Sequence, residues 1–128
     1  MLVTKYEELM AEYDGELIIE ERPIKNAGLY ADGVTWIRED MTIAEKYCVL
    51  AEEIGHYETS VGNILDQTNI DNVRQELKAR RWAYEKILPI EKILAAFQLG
   101  ICQVWDMAEH LEVDEQFLKD ALAHYGLL

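Results

Sequence analysis

"CVLAEEIGHYE", Cys48 to Glu58, is an apolar helical run broken by two adjacent carboxylates, Glu52 and Glu53, and by a histidine, His56. Cys48, Glu52 and His56 recur every fourth residue, so on a helix their side chains stack along one face. Tyr47, Leu50 and Ile54 form the neighbouring apolar stripe and aim at a core. The Glu52–His56 face therefore lies at the half-buried edge of that core. A carboxylate and an imidazole held there need a partner, because burying either one alone costs several kcal/mol or neutralises it. A metal, an arginine or a water network would serve. The plainer alternative is a surface pair one turn apart, worth a few tenths of a kcal/mol.

Upstream, Thr42 and Glu45 form a capping box that opens this helix, and Thr4 with Glu7 forms another that opens a short helix ending at Asp14-Gly15. "ELIIEE" (16–21) reads as a short strand or extended entry, stopped by Pro23. In "AGLYADGVTWIR" (27–38), Asp32-Gly33 separates two apolar runs, and both turn positions accept positive φ. Two antiparallel strands are expected there. Downstream, "NIDNVRQELKARRWAYEKILP" (69–89) predicts a helix that stops before Pro89. Glu76 shares a face with the small residues Ala79 and Ala83. Small residues let helices approach closely, so Glu76 either points at a neighbouring helix or pairs with Arg80 one turn on.

The 128 residues suit a single domain, with 50% hydrophobic residues to fill a core. Twenty-five acids against 12 lysines and arginines give a net charge of −13, which opposes nucleic acid and anionic membranes alike. No apolar run approaches the ~18 to 20 residues that cross a bilayer, and "MLVTKYEELM" lacks the features of an export signal. Cys48 and Cys102 match no paired metal spacing and read as buried reduced thiols, which places the chain in the cytoplasm. The last third, "QVWDMAEHLEVDEQFLKDALAHYG" (103–126), has the outline of a helix-turn-helix, with Asp114 capping its second helix. From Asp106 onward it carries six acids and one lysine, and Asp114 and Glu115 stand where phosphates would lie. It reads as a protein-docking or packing module, with His110 and His124 solvated or capping.

"AEEIGH" followed by "ELKARRWAYEKILP" resembles the ImmA/IrrE metallo-endopeptidases, in particular the short members found beside repressor genes of phages and mobile elements. Their first signature is H-E-x-x-H on a helix. Their second is E-x-x-A-x-x-F-A followed by apolar residues and a proline, which Glu76, Ala79, Trp82, Ala83 and Pro89 match in one register. The resemblance covers roughly residues 15 to 90, and the "GLYADG" hairpin fits it as well. Glu52 stands where the family's first histidine is usual, so the motif reads E-E-x-x-H.

The resemblance implies metal ligands Glu52, His56 and Glu76, a fourth position open to water, and Glu53 as general base. Tyr57 or Tyr30 would donate to the oxyanion. Zn²⁺ is the expected cofactor, and the second carboxylate also makes Mn²⁺ compatible. The implied function is a metal-dependent endopeptidase that cleaves a protein partner, a helix-turn-helix transcriptional repressor of the same element. The alternatives are a non-catalytic binding protein on the same fold that sequesters a regulator and, third, a DNA-binding regulator. The expected fold class is α+β, a small antiparallel sheet packed on a zincin-like motif helix, with an all-helical C-terminal part. Residues 1–90 would form the metallopeptidase-like core and residues 91–128 a helical extension packed on it.

Overall fold

The computed structural model describes residues 3–59 and 69–128. The fold is α+β: helix α1 (Lys5–Glu12), strands β1 (Ile18–Arg22), β2 (Gly28–Ala31) and β3 (Val34–Arg38), then helices α2 (Ile43–Thr59), α3 (Asn69–Ile87), α4 (Ile90–Gln98), α5 (Val104–Leu111) and α6 (Glu115–His124). Both expected capping boxes form. At α1 the Glu7 N–H donates to Thr4 Oγ1 at 3.1 Å while the Glu7 carboxylate accepts from the Thr4 N–H. At α2 the same reciprocal pair joins Thr42 and Glu45. Each box satisfies helix-end N–H groups that would otherwise have no acceptor.

Asp32 (φ 45°) and Gly33 (φ 81°) make the two-residue turn between β2 and β3, and the strands pair antiparallel with Leu29 opposite Trp36. The sheet as a whole is mixed, not wholly antiparallel. β1 adds to the far side of β3 in parallel, Ile18 beside Val34, giving the order β1-β3-β2. The residues between β1 and β2 carry the chain across the sheet, and the hairpin then returns β3 into the middle.

α2 runs behind this sheet and supplies Leu50 and Ile54, both fully buried, to a core shared with Ile37 of β3 and Leu88. Lys46 and Glu21 lock α2 to β1 through a 2.7 Å ion pair, and the Tyr6 hydroxyl donates to the same Glu21 at 2.9 Å. The Lys46 hydrogen bond holds the Glu21 carboxyl below its ordinary range.

The C-terminal helices belong to the same core, with Met107, Leu118 and Ala121 buried in it. Tyr125 Oη donates to the Leu88 carbonyl at 2.9 Å, and the Tyr84 and Phe117 rings meet edge-on at 5.1 Å. α5 and α6 are joined through Glu112 in the left-handed region (φ 60°), and Asp114 caps α6 by accepting from Gln116 and Phe117 N–H. Both cysteines are free thiols. Cys48 is buried as expected, whereas Cys102 is exposed beyond the end of α4. Its apolar neighbours Leu99 and Trp105 stand in solvent too, 70% and 59% exposed. Among the described residues no helix is long and apolar enough to cross a membrane.

α2 and α3 touch almost backbone to backbone. A Cβ on Gly55 would lie 2.4 Å from the Ala79 carbonyl oxygen, and Ala79 and Ala83 are fully buried at the contact. Neither helix can yield there without moving as a whole. Gly55→Ala is therefore expected to destabilise the fold by about 2–3 kcal/mol despite alanine's better helix propensity. Urea or thermal unfolding checks this, and an unchanged midpoint would contradict the close contact.

Candidate functional site

The Gly55–Ala79 contact decides which side chains face each other. His56 follows Gly55, and Glu76 lies one turn before Ala79, so the two meet across the helix pair with His56 Nε2 3.1 Å from Glu76 Oε1. Glu76 thus takes the cross-helix option and not Arg80. His56 is largely enclosed, its side chain 17% exposed, whereas the Glu76 carboxylate stays open to solvent at 54%.

Glu53 enters the same site from the sheet side. β2 passes so close to α2 that a Cβ on Gly28 would lie 2.6 Å from Val49 Cγ1 and 3.0 Å from Glu53 Cγ. Here glycine is required for space. Pressed between the strand and α2, the Glu53 carboxyl is pushed up to about 7, first by burial and then by the charges of Glu76 and Glu52. Glu53, His56 and Glu76 line one cavity of about 430 Å³ with Gly28, Leu29 and Tyr30 of β2 and with Asn72 and Gln75 of α3. Tyr30 is therefore on the cavity wall. Tyr57 packs against it with ring centroids 6.2 Å apart.

Glu52 is placed differently. Its side chain lines a neighbouring cavity of about 250 Å³ with Cys48, Arg38, Asp114 and Asp120. Burial raises its carboxyl, the charge of Arg80 pulls it back, and Glu76 and Asp120 push it up further. Cys48, beside it, accepts a hydrogen bond from the Asp114 N–H at 3.4 Å, and burial pushes its thiol up to about 12, so it stays protonated. The structure thus brings His56, Glu76 and Glu53 together and leaves Glu52 one cavity away. Among the described residues no group of three His, Cys, Asp or Glu side chains is arranged as it stands to hold a metal ion.

The donor chemistry can still be tested against a cation. Two ligands each ~2.1 Å from one tetrahedral ion stand about 3.4 Å apart, close to the 3.1 Å between His56 Nε2 and Glu76 Oε1. The same span is an ion pair when the imidazole carries its second proton. A cation and that proton compete for one place, and His56 with Glu76 fits the cation. No hydrogen bond to Glu52 or Glu53 forms among the described residues, and although the charge of Arg80 offsets part of that of Glu52, the two half-buried carboxylates add negative charge around the pair.

Asn72 was not evident as a site residue from the sequence, although it lies one turn before Glu76 and shares its face. The contribution of Gly28 depends on strand-to-helix distance, for which sequence carries no signal. His110 is exposed as expected. His124 is half-buried, its ring 5.5 Å from Tyr84 and its Nε2 3.4 Å from Glu85 Oε1, a carboxylate neighbour that tertiary packing supplies.

A small α+β domain with an imidazole and carboxylates gathered between two helices beside a strand defines the class. The chain belongs to the family of IrrE N-terminal-like domains, peptidase family M78, whose model matches residues 11–123. Membership gives a peptidase-type function. No curated protein matches the chain, and no solved structure does.

Proposed function

We propose that the chain is a metal-dependent endopeptidase that cleaves a protein partner, a helix-turn-helix repressor of the same phage or mobile element. The observation that carries this is the shared cavity of Glu53, His56 and Glu76. His56 and Glu76, joined by Glu52 of the neighbouring cavity, would hold the ion, Zn²⁺ or the harder Mn²⁺. When bound, the ion supplies Lewis acidity and water of lowered pKa. Glu53 takes a proton from the attacking water at its carboxylate and delivers it to the leaving amine. The Tyr30 hydroxyl, on the wall, donates to the developing oxyanion. β2, an edge strand beside the cavity, is placed to align an extended substrate by strand addition. The free thiols support a cytoplasmic setting, and the acidic start of α6 supports a protein partner over DNA.

One observation favours the second reading, a non-catalytic protein that sequesters the regulator: Glu52 faces the neighbouring cavity. Metal content and the intact mass of the partner after incubation decide between the two, measured on wild type and on Glu52→His. Fragments of defined mass from the wild type, with tighter zinc in Glu52→His and activity kept or raised, are expected. Metal binding by both proteins with the partner left whole would transfer the conclusion to sequestration.

A further inference from the structure

Val73, Leu77, Arg80, Arg81 and Tyr84 follow one another at helical spacing and make a continuous stripe along α3. Its first part is apolar and open, Val73 being 59% and Leu77 42% exposed. Its middle is cationic. Between α3 and α6 the stripe borders a groove of about 520 Å³, lined by Leu77, Arg80, Arg81 and Tyr84 on one side and by Asp120 and His124 on the other. Neither guanidinium forms a salt bridge with a described residue; the charge of Arg80 acts on Glu52 from a distance, and Arg81 lies at the open side of the groove.

The geometry points to this groove as a docking site for an acidic segment of another protein, with a carboxylate seated on Arg80 and Arg81 and an apolar side chain lying on Leu77 and Val73. Guanidinium groups take carboxylates through paired charge-assisted hydrogen bonds. Asp120 in the opposite wall makes the groove a poorer host for a doubly charged phosphate than for a singly charged carboxylate, and the net charge of −13 repels a long polyanion far more than a short peptide with a few carboxylates. From Val73 to Tyr84 the stripe is about 16 Å long at 1.5 Å per residue, the length of about five residues of extended chain. It begins beside Glu76, on another face of α3 from His56. The inference concerns binding alone and stands whether or not the chain cuts its partner.

The test uses the full chain and a fluorescein-labelled peptide of about eight residues alternating Asp and Glu with Leu, long enough to cover the stripe. The same peptide with Asn and Gln is the control, and binding is read by fluorescence anisotropy. Arg80→Gln/Arg81→Gln should weaken binding of the acidic peptide about tenfold or more, and the amide peptide should bind the wild type as weakly. Both arginines are exposed, and circular dichroism verifies that the variant is folded. Arg80→Lys/Arg81→Lys should recover part of the affinity, since charge returns without the planar fork. Equal affinity of wild type and the glutamine variant, or of the two peptides, overturns the proposal. Duplex DNA bound by the wild type and lost in the variant, with no peptide binding, replaces it with a nucleic-acid groove. A dimer that the variant dissolves, with no peptide binding, replaces it with a second copy of this chain.

Discussion

Glu53→Gln is expected to keep the metal content of the wild type while lowering cleavage of the partner by about 100-fold or more, because glutamine preserves size but cannot accept a proton. A loss of metal in parallel would make Glu53 a ligand, and unchanged cleavage would remove it from the chemistry. The same substitution has a second signature in metal-free protein. The folded state raises the Glu53 carboxyl to about 7, above its ordinary value, so folding favours the protonated form. The associated stability is complete below the unfolded value and is lost as pH rises through about 7. Glutamine does not titrate and escapes that loss. At pH 8 in chelator the variant should therefore gain on the order of 2 kcal/mol over wild type, relative to their difference at pH 4. Urea midpoints at the two pH values provide the measurement. A residue that raises stability when removed and destroys activity when removed has its place through chemistry and not through packing.

His56→Ala should reduce bound divalent metal from about one ion per chain to none and abolish cleavage, because it removes the imidazole donor and leaves Glu76 without its 3.1 Å partner. The fold should survive, since His56 lies at the rim of the core while Ile54 and Gly55 make the buried contacts. Elemental analysis beside circular dichroism checks both halves. A folded His56→Ala protein that retains its metal would place the ion elsewhere.

Local signals carried much of the architecture. Thr4 with Glu7, Thr42 with Glu45, and Asp32-Gly33 each specify a terminus or turn through residues at most three apart, and all appear where the spacing places them. The helix ending before Pro89 follows from one residue's stereochemistry. Properties that depend on distant parts of the chain were not legible. Nothing in "ELIIEE" says that β1 pairs in parallel with β3 and makes the sheet mixed. Cys102 is exposed although cysteine usually is not, because the chain around it turns between two helices. At the site, helical spacing puts Glu52 and His56 on one face, and that much was readable. Which cavity the Glu52 side chain enters depends on how α2, α3 and α6 pack, and Arg80, Glu76 and Asp120 come to act on it only after folding.

With no side chain at position 55 between α2 and α3, the two helices have no soft layer to compress or expand. The gap between His56 and Glu76 is set by two rigid rods in contact, and only side-chain torsions can adjust it. A cation entering between His56 and Glu76 would meet two donors already held face to face, so little conformational freedom would be left to lose on binding. That preorganisation traces to the absent methyl at Gly55.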